Sequence, residues 1–249
     1  MPANPQDPAQ IFDDDITQKP AERGEPADWP RMARSSLDNE ERQIKDTLLR
    51  MGSLIEERIR ETVAALESHD SAAALRVIEG DEQINGYQAE AIDLVIRTIA
   101  TQAPVARDLR YLLTLYHIGY ELERIGDSIA NVAKRVRDIA PYAPLDGHVG
   151  LAEMGSLTAD LLADAIRALV DGDPITAREV AGRDDLVDDH YHRAVDRLVE
   201  LAKQDPDNVE RAARLLIAAH YIERIGDRVT NIAEDVVFLA TGEHEDLNP

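Results

Sequence analysis

The sequence predicts an all-α fold of two tandem, pseudo-symmetric three-helix bundles. Three observations carry that expectation. From Leu37 onward the apolar residues recur with a period near 3.6. The second half repeats the first: Met51-Gly52-Ser53-Leu54 returns as Met154-Gly155-Ser156-Leu157, and Glu123-Arg124-Ile125-Gly126-Asp127 as Glu223-Arg224-Ile225-Gly226-Asp227. Two matches in the same order, differing in offset by a few loop residues, mark an internal duplication. Aromatic residues make up only 4% of the chain, so the core is aliphatic and Ala-rich. That suits close-packed helices better than sheets, which use more β-branched and aromatic side chains.

The elements follow from punctuation. Residues 1–35 are polar and Pro-rich, hold the acid run Asp13-Asp14-Asp15, and read as a disordered tail with Trp29 near its end. The first helix is expected from about Leu37 to Ser68 and the second from about Ser71 to Thr101. Pro104 opens a third that runs to about Ala140, and Pro141–Gly150 link the halves. The fourth covers about Leu151–Val170. Asp173-Pro174 reads as an N-cap and first-turn proline opening the fifth, and Asp205-Pro206 repeats that signal for the sixth, which ends near Thr241-Gly242. The repeats are therefore placed at residues 36–141 and 147–242, with short connections making neighbouring helices antiparallel.

Composition narrows the function classes. A net charge of −22 repels DNA, RNA and anionic lipid and attracts cations. With no Cys, thiolate zinc sites, iron–sulfur clusters and Cys nucleophiles are excluded. No apolar run approaches the ~18–20 residues that span a bilayer, and no signal-peptide stretch opens the chain, so a cytoplasmic location is expected.

The duplicated motif carries the candidate chemistry. At about 100° per residue Asp127 lies about 40° from Glu123, and both border the apolar stripe of the third helix. Like charges one turn apart repel. Their recurrence in both halves points to a compensating hard cation, since carboxylate oxygens suit magnesium, manganese, calcium and iron. In the fifth helix Asp184 and Asp188 border the apolar stripe while Asp185 and Asp189 point to solvent; the equivalents in the second helix are Asp81 and Asn85. Each half then gathers oxygen ligands from two helices. Asp184, Asp188, Glu223 and Asp227 form a patch of four carboxylates. Asp81, Glu123 and Asp127 form a weaker one, because Asn85 stands in the fourth position. The competing reading is that these acidic stripes are solvated helix faces. His220, one turn before Glu223, is a further candidate for the second patch, but its counterpart Tyr120 speaks against a ligand role shared by both halves. His190 and His192 flank Tyr191. There is no Glu-x-x-His, no His-Glu-x-x-His, no phosphate-cradling Gly loop and no nucleophile elbow, so no residue is assigned a catalytic role.

These features together resemble the PhoU family: the paired Glu123–Asp127–Asn131 and Glu223–Asp227–Asn231 segments, the Met-Gly near each half's first helix, the Pro104…Asp108-Leu109-Arg110 approach to the third helix, and the duplication. The resemblance covers about residues 37–242. It does not extend to the N-terminal tail, and Asp205-Pro206-Asp207-Asn208 departs from the first-half pattern. It implies a six-helix, two-bundle, non-enzymatic negative regulator of phosphate uptake and of the phosphate-starvation response. The implied partners are a PhoR-type sensor histidine kinase and the PstB-type ATPase subunit of the Pst transporter, with a homodimer, no nucleic acid, and membrane contact only through partners. It also implies divalent or trivalent metal ions (iron, zinc, manganese or magnesium) on Glu/Asp-x-x-x-Asp motifs, here Glu123–Asp127, Glu223–Asp227 and Asp184–Asp188, with Asp81–Asn85 incomplete. A metal-independent helical adaptor and a metal-dependent hydrolase are the alternative classes.

Overall fold

A computed structural model describes residues 29–145 and 149–247, with side chains from residue 34. Among the described residues every regular element is helical. The order is α1 (Trp29–Ser68), α2 (Ser71–Glu79), α3 (Asp81–Gln102), α4 (Arg107–Ile139), α5 (Leu151–Asp171), α6 (Pro174–Gly182), α7 (Asp184–Gln204) and α8 (Val209–Thr241). The first three-helix bundle is α1, α2/α3 and α4; the second is α5, α6/α7 and α8. The most extensive helix contact is α4 with α8, and α1 packs on α5, so the bundles meet along two seams and share one apolar core. Ile44, Leu48, Met51, Ile55, Leu115, Ile118 and Leu122 fill it from the first half, and Met154, Leu162, Ile232 and Val237 from the second.

Several expected boundaries move, each for a local reason. The second and fifth helices are not continuous. Each breaks once, at Gly80 and at Arg183, where Gln83 N–H bonds back to Gly80 C=O and Leu186 N–H to Arg183 C=O. These i→i−3 bonds tighten the chain and re-aim the following helix. Asp81 and Asp184 thereby become first residues of new helices, where a carboxylate faces the positive end of the dipole. The third helix starts at Arg107 rather than Pro104. Proline disfavours the helical region for the residue before it, and Ala103 adopts φ 45° to cap α3, with Ala106 at φ 46°. The sixth starts at Val209, because Asp205-Pro206 opens a separate 3₁₀ turn over Pro206–Asn208. The first helix is already present at Trp29, where the described residues begin, rather than starting near Leu37. The tail expected before that point lies outside the described residues. Two signals act as expected: Asp173 accepts from Ile175 N–H at 2.9 Å, and Gly242 ends α8 at φ 80°. Asp70, not singled out from the sequence, caps α2 by accepting from Ala72 and Ala73 N–H at 2.9 Å. Among the described residues no helix is long and apolar enough to cross a membrane.

Candidate functional site: two carboxylate patches

The breaks at Gly80 and Arg183 bring the first turns of α3 and α7 against the duplicated motif on α4 and α8. The motif glycine makes this possible. A Cβ at Gly126 would meet Ile84 Cγ2 at 3.0 Å and Asp81 Oδ1 at 3.6 Å. At Gly226 a Cβ would overlap the Asp184 carboxylate outright and meet Val187 Cγ1 at 3.4 Å. Glycine therefore lets an acidic first turn lie directly on the neighbouring helix backbone, in both halves.

The second patch is the more buried and the more strongly coupled. Asp184 is 2% exposed and hydrogen-bonded to Thr230. Burial first, then Asp188, Asp227 and Glu223, push its carboxyl up to about 7. Glu223 is likewise pushed up to about 7, by burial and then by Asp227 and Asp188, with Arg224 and His192 opposing. Asp227 is raised by the surrounding protein and by Asp188. All four side chains named from the sequence thus share one electrostatic neighbourhood, while Asp185 and Asp189 are exposed.

In the first patch, Asp81 is raised by burial and then Asp127, and Glu123 by burial and then Asp127. Basic and amide groups already answer much of this charge. Arg124 Nη1 lies 3.2 Å from Asp127 Oδ2, Asn85 donates to Asp81 Oδ2 at 3.4 Å, and Lys134 acts on Asp81. Arg124 thus pairs within its own helix and lies over Tyr120, not across to a neighbouring bundle.

Whether these residues suit a metal ion is decided by their donors. Glu123 Oε2 and Glu223 Oε2, the same atom in each half, are buried without a hydrogen bond. Arg124 Nε lies 3.5 Å from Glu123 Oε2, and His220 Nδ1 lies 3.3 Å from Glu223 Oε2. A buried carboxylate oxygen left over beside like charges fits a hard cation. Among the described residues no three His, Asp or Glu side chains are drawn together in position to hold an ion. The donors are of the kind a hard cation takes, but they are not gathered about one point.

A second polar cluster was missed by the sequence reading. Glu121 of α4 is 2% exposed and faces α8, where Arg228 Nη1 donates to it at 3.1 and 3.3 Å and Asn231 Nδ2 at 3.3 Å. His117 bridges the same seam, with Nδ1 at 2.7 Å from Asp235 Oδ2 and Nε2 at 3.5 Å from Glu121 Oε1. The signal lay in where the halves differ. Glu121, Ser128 and Arg135 of the first half stand where the second has Tyr221, Arg228 and Asp235.

The PhoU domain matches twice, over residues 48–136 and 151–236. A phosphate-specific transport system accessory protein PhoU homolog of Clostridium acetobutylicum is 35% identical over 87% of this chain and 100% of its own length. The Pseudomonas aeruginosa PhoU crystal structure superposes with a TM-score of 0.79 at 33% identity, over 83% of this chain and 99% of that one. The phosphate transport system regulatory protein PhoU of Streptococcus pneumoniae gives 0.78 at 28%, over 84% and 99%. Two matched domains, each with its own acidic first turn laid on a motif glycine, place the chain in the PhoU family.

Proposed function

We propose that this protein is a non-enzymatic negative regulator of phosphate uptake and of the phosphate-starvation response, acting by docking to partner proteins. The observation that carries the reading is the duplicated Glu-x-x-x-Asp patch, set at equivalent positions on two bundles, in a chain whose relatives are named accessory and regulatory proteins of phosphate transport. The partners are a PhoR-type sensor histidine kinase and the ATPase subunit of the phosphate transporter. In the metal-binding part of the proposal, Asp184, Asp188, Glu223 and Asp227 hold one site and Asp81, Glu123 and Asp127 another. A bound cation there supplies positive charge that cancels carboxylate repulsion and ties α7 to α8 and α3 to α4. The metal-independent reading draws its support from the first patch, where Arg124 and Lys134 already supply positive charge.

The test is reconstitution of the full-length chain with the purified cytoplasmic part of its own sensor kinase and with its own transporter ATPase. Saturable binding to either is the expected result. Binding to neither overturns the reading.

A further inference from the structure

The seam between α4 and α8 is antiparallel, and its two ends are built differently. At one end Arg214 of α8 ties Asp138 of α4 at 2.9 Å and Glu210 of its own helix at 2.6 Å. At the other end the counterparts of Arg214, Asp138 and Glu210 are Thr114, Phe238 and Arg110. Threonine is too short to bridge the helices, and its hydroxyl turns back to Arg110 C=O at 3.1 Å. A groove of about 740 Å³ is left open there between α4 and α8.

The groove is apolar with one cation to spare. Leu109, Leu113 and Phe238 line it, and Leu113 is 52% exposed. Its acids are already answered: Glu245 by Arg178 at 2.6 Å, Asp235 by His117 at 2.7 Å, and Glu234 by Leu247 N–H at 2.9 Å. Arg110 lies over the Phe238 ring, 5.6 Å from its centroid, and among the described residues takes part in no ion pair. An exposed leucine and phenylalanine beside an uncommitted guanidinium suit an occupant that is both apolar and acidic.

Such a segment is tethered at the mouth of the groove. Arg34 of α1 pairs at 2.8 Å with Asp108 of α4, the residue before Leu109. Residues 1–28, which precede the start of α1 at Trp29, are therefore attached beside this end of the seam. They hold seven acids against two bases, and their large apolar residues after Met1 are Ile11, Phe12 and Ile16, set around Asp13-Asp14-Asp15. We propose that the segment Ile11–Ile16 docks in the α4–α8 groove of its own chain, with Phe12 against Leu113 and Phe238 and the acid run toward Arg110. The stretch from Ile16 to Trp29 can span roughly 40 Å, whereas Trp29 is only ~8 Å along the helix from Arg34. A tether of this kind gives an effective concentration of about a millimolar, so a segment of only ~0.1 mM intrinsic affinity keeps the groove about nine-tenths occupied. A partner that used this groove would have to displace it.

The experiment uses the full-length chain with photoreactive benzoylphenylalanine in place of Phe12, which keeps the aromatic ring. The protein is irradiated at high dilution, and the linked peptides are identified by mass spectrometry. The expected links lie within one chain, to α4 near Leu109–Leu113 or to α8 near Phe238. Their yield should fall roughly threefold or more with Leu113→Asp and with Arg110→Glu. Both positions are exposed, so the core is untouched. Ala213→Asp, at the counterpart of Leu113 on the other end of the seam, should leave the yield unchanged. Links scattered over the surface, no link within the chain, or a yield indifferent to Leu113→Asp and Arg110→Glu overturns the proposal. Links formed only between chains overturn it too, and assign the groove to a second copy.

Discussion

Val63 of α1 lies over Gly155 of α5 so closely that a Cβ added to the glycine would sit 2.6 Å from Val63 Cγ2. The duplication repeats the contact in reverse: a Cβ at Gly52 of α1 would sit 2.7 Å from Cδ1 of Ile166 of α5, the counterpart of Val63. The Met-Gly motif is thus the crossing point of the two bundles, with each glycine receiving a β-branched side chain from the other half. Alanine in an exposed helix would gain about 1 kcal/mol over glycine, but here overlap outweighs propensity. Gly155→Ala is expected to destabilise by about 1–3 kcal/mol in urea unfolding. Val63→Ala introduced alongside it recovers a large part of that loss. Additive losses in the double mutant would show that the two residues do not meet.

The Glu121–Arg228 pair ties the other seam between the bundles. Removing one partner of a buried pair leaves the other uncompensated, so Glu121→Ala should cost about 3 kcal/mol. A double-mutant cycle with Arg228→Ala checks the coupling. A coupling near zero would mean that Asn231 and His117 alone satisfy Glu121.

His117 makes this seam pH-sensitive. The groups facing it are Asp235, Glu121 and Arg228. The hydrogen bond to Asp235 raises the imidazole above its ordinary value, burial opposes, Glu121 adds and Arg228 subtracts. A base whose folded-state value is raised contributes stability that is complete below the unfolded value and is lost as pH rises through the folded one. The ring is half exposed, so the contribution is about 0.5 kcal/mol. Denaturant unfolding should show a larger gap between the parent protein and His117→Gln at about pH 5.5 than at about pH 9. The reverse order would contradict the assigned pairing.

How far the sequence reached can be judged from particular residues. The bundle fold, the duplication, the cap at Asp173 and the greater burial of Asp184 and Asp188 than of Asp185 and Asp189 follow from spacing and capping chemistry alone. The breaks at Gly80 and Arg183 did not, because helical periodicity runs through them and a single glycine near the junction is a weak stop signal. Glu121 was hidden because its partner, Arg228, lies more than a hundred residues away on a helix that only tertiary packing brings near.

The ranking of the patches has its own test. Cation binding to the folded state raises stability by mass action, about 2.7 kcal/mol at a hundredfold excess over Kd. Asp227→Ala should therefore remove more of the metal-induced rise in melting temperature than Asp127→Ala, whose carboxylate is already paired with Arg124. Equal effects would overturn the ranking, and melting curves identical with metal and with chelator in all three proteins would mark both patches as solvated surface.

The central claim is regulation of the phosphate response, and the most direct measurement is expression of phosphate-starvation genes in phosphate-rich medium after deletion of this gene. The account expects derepression, reversed by the full-length chain supplied in trans. Expression that stays low in the deletion strain would contradict it.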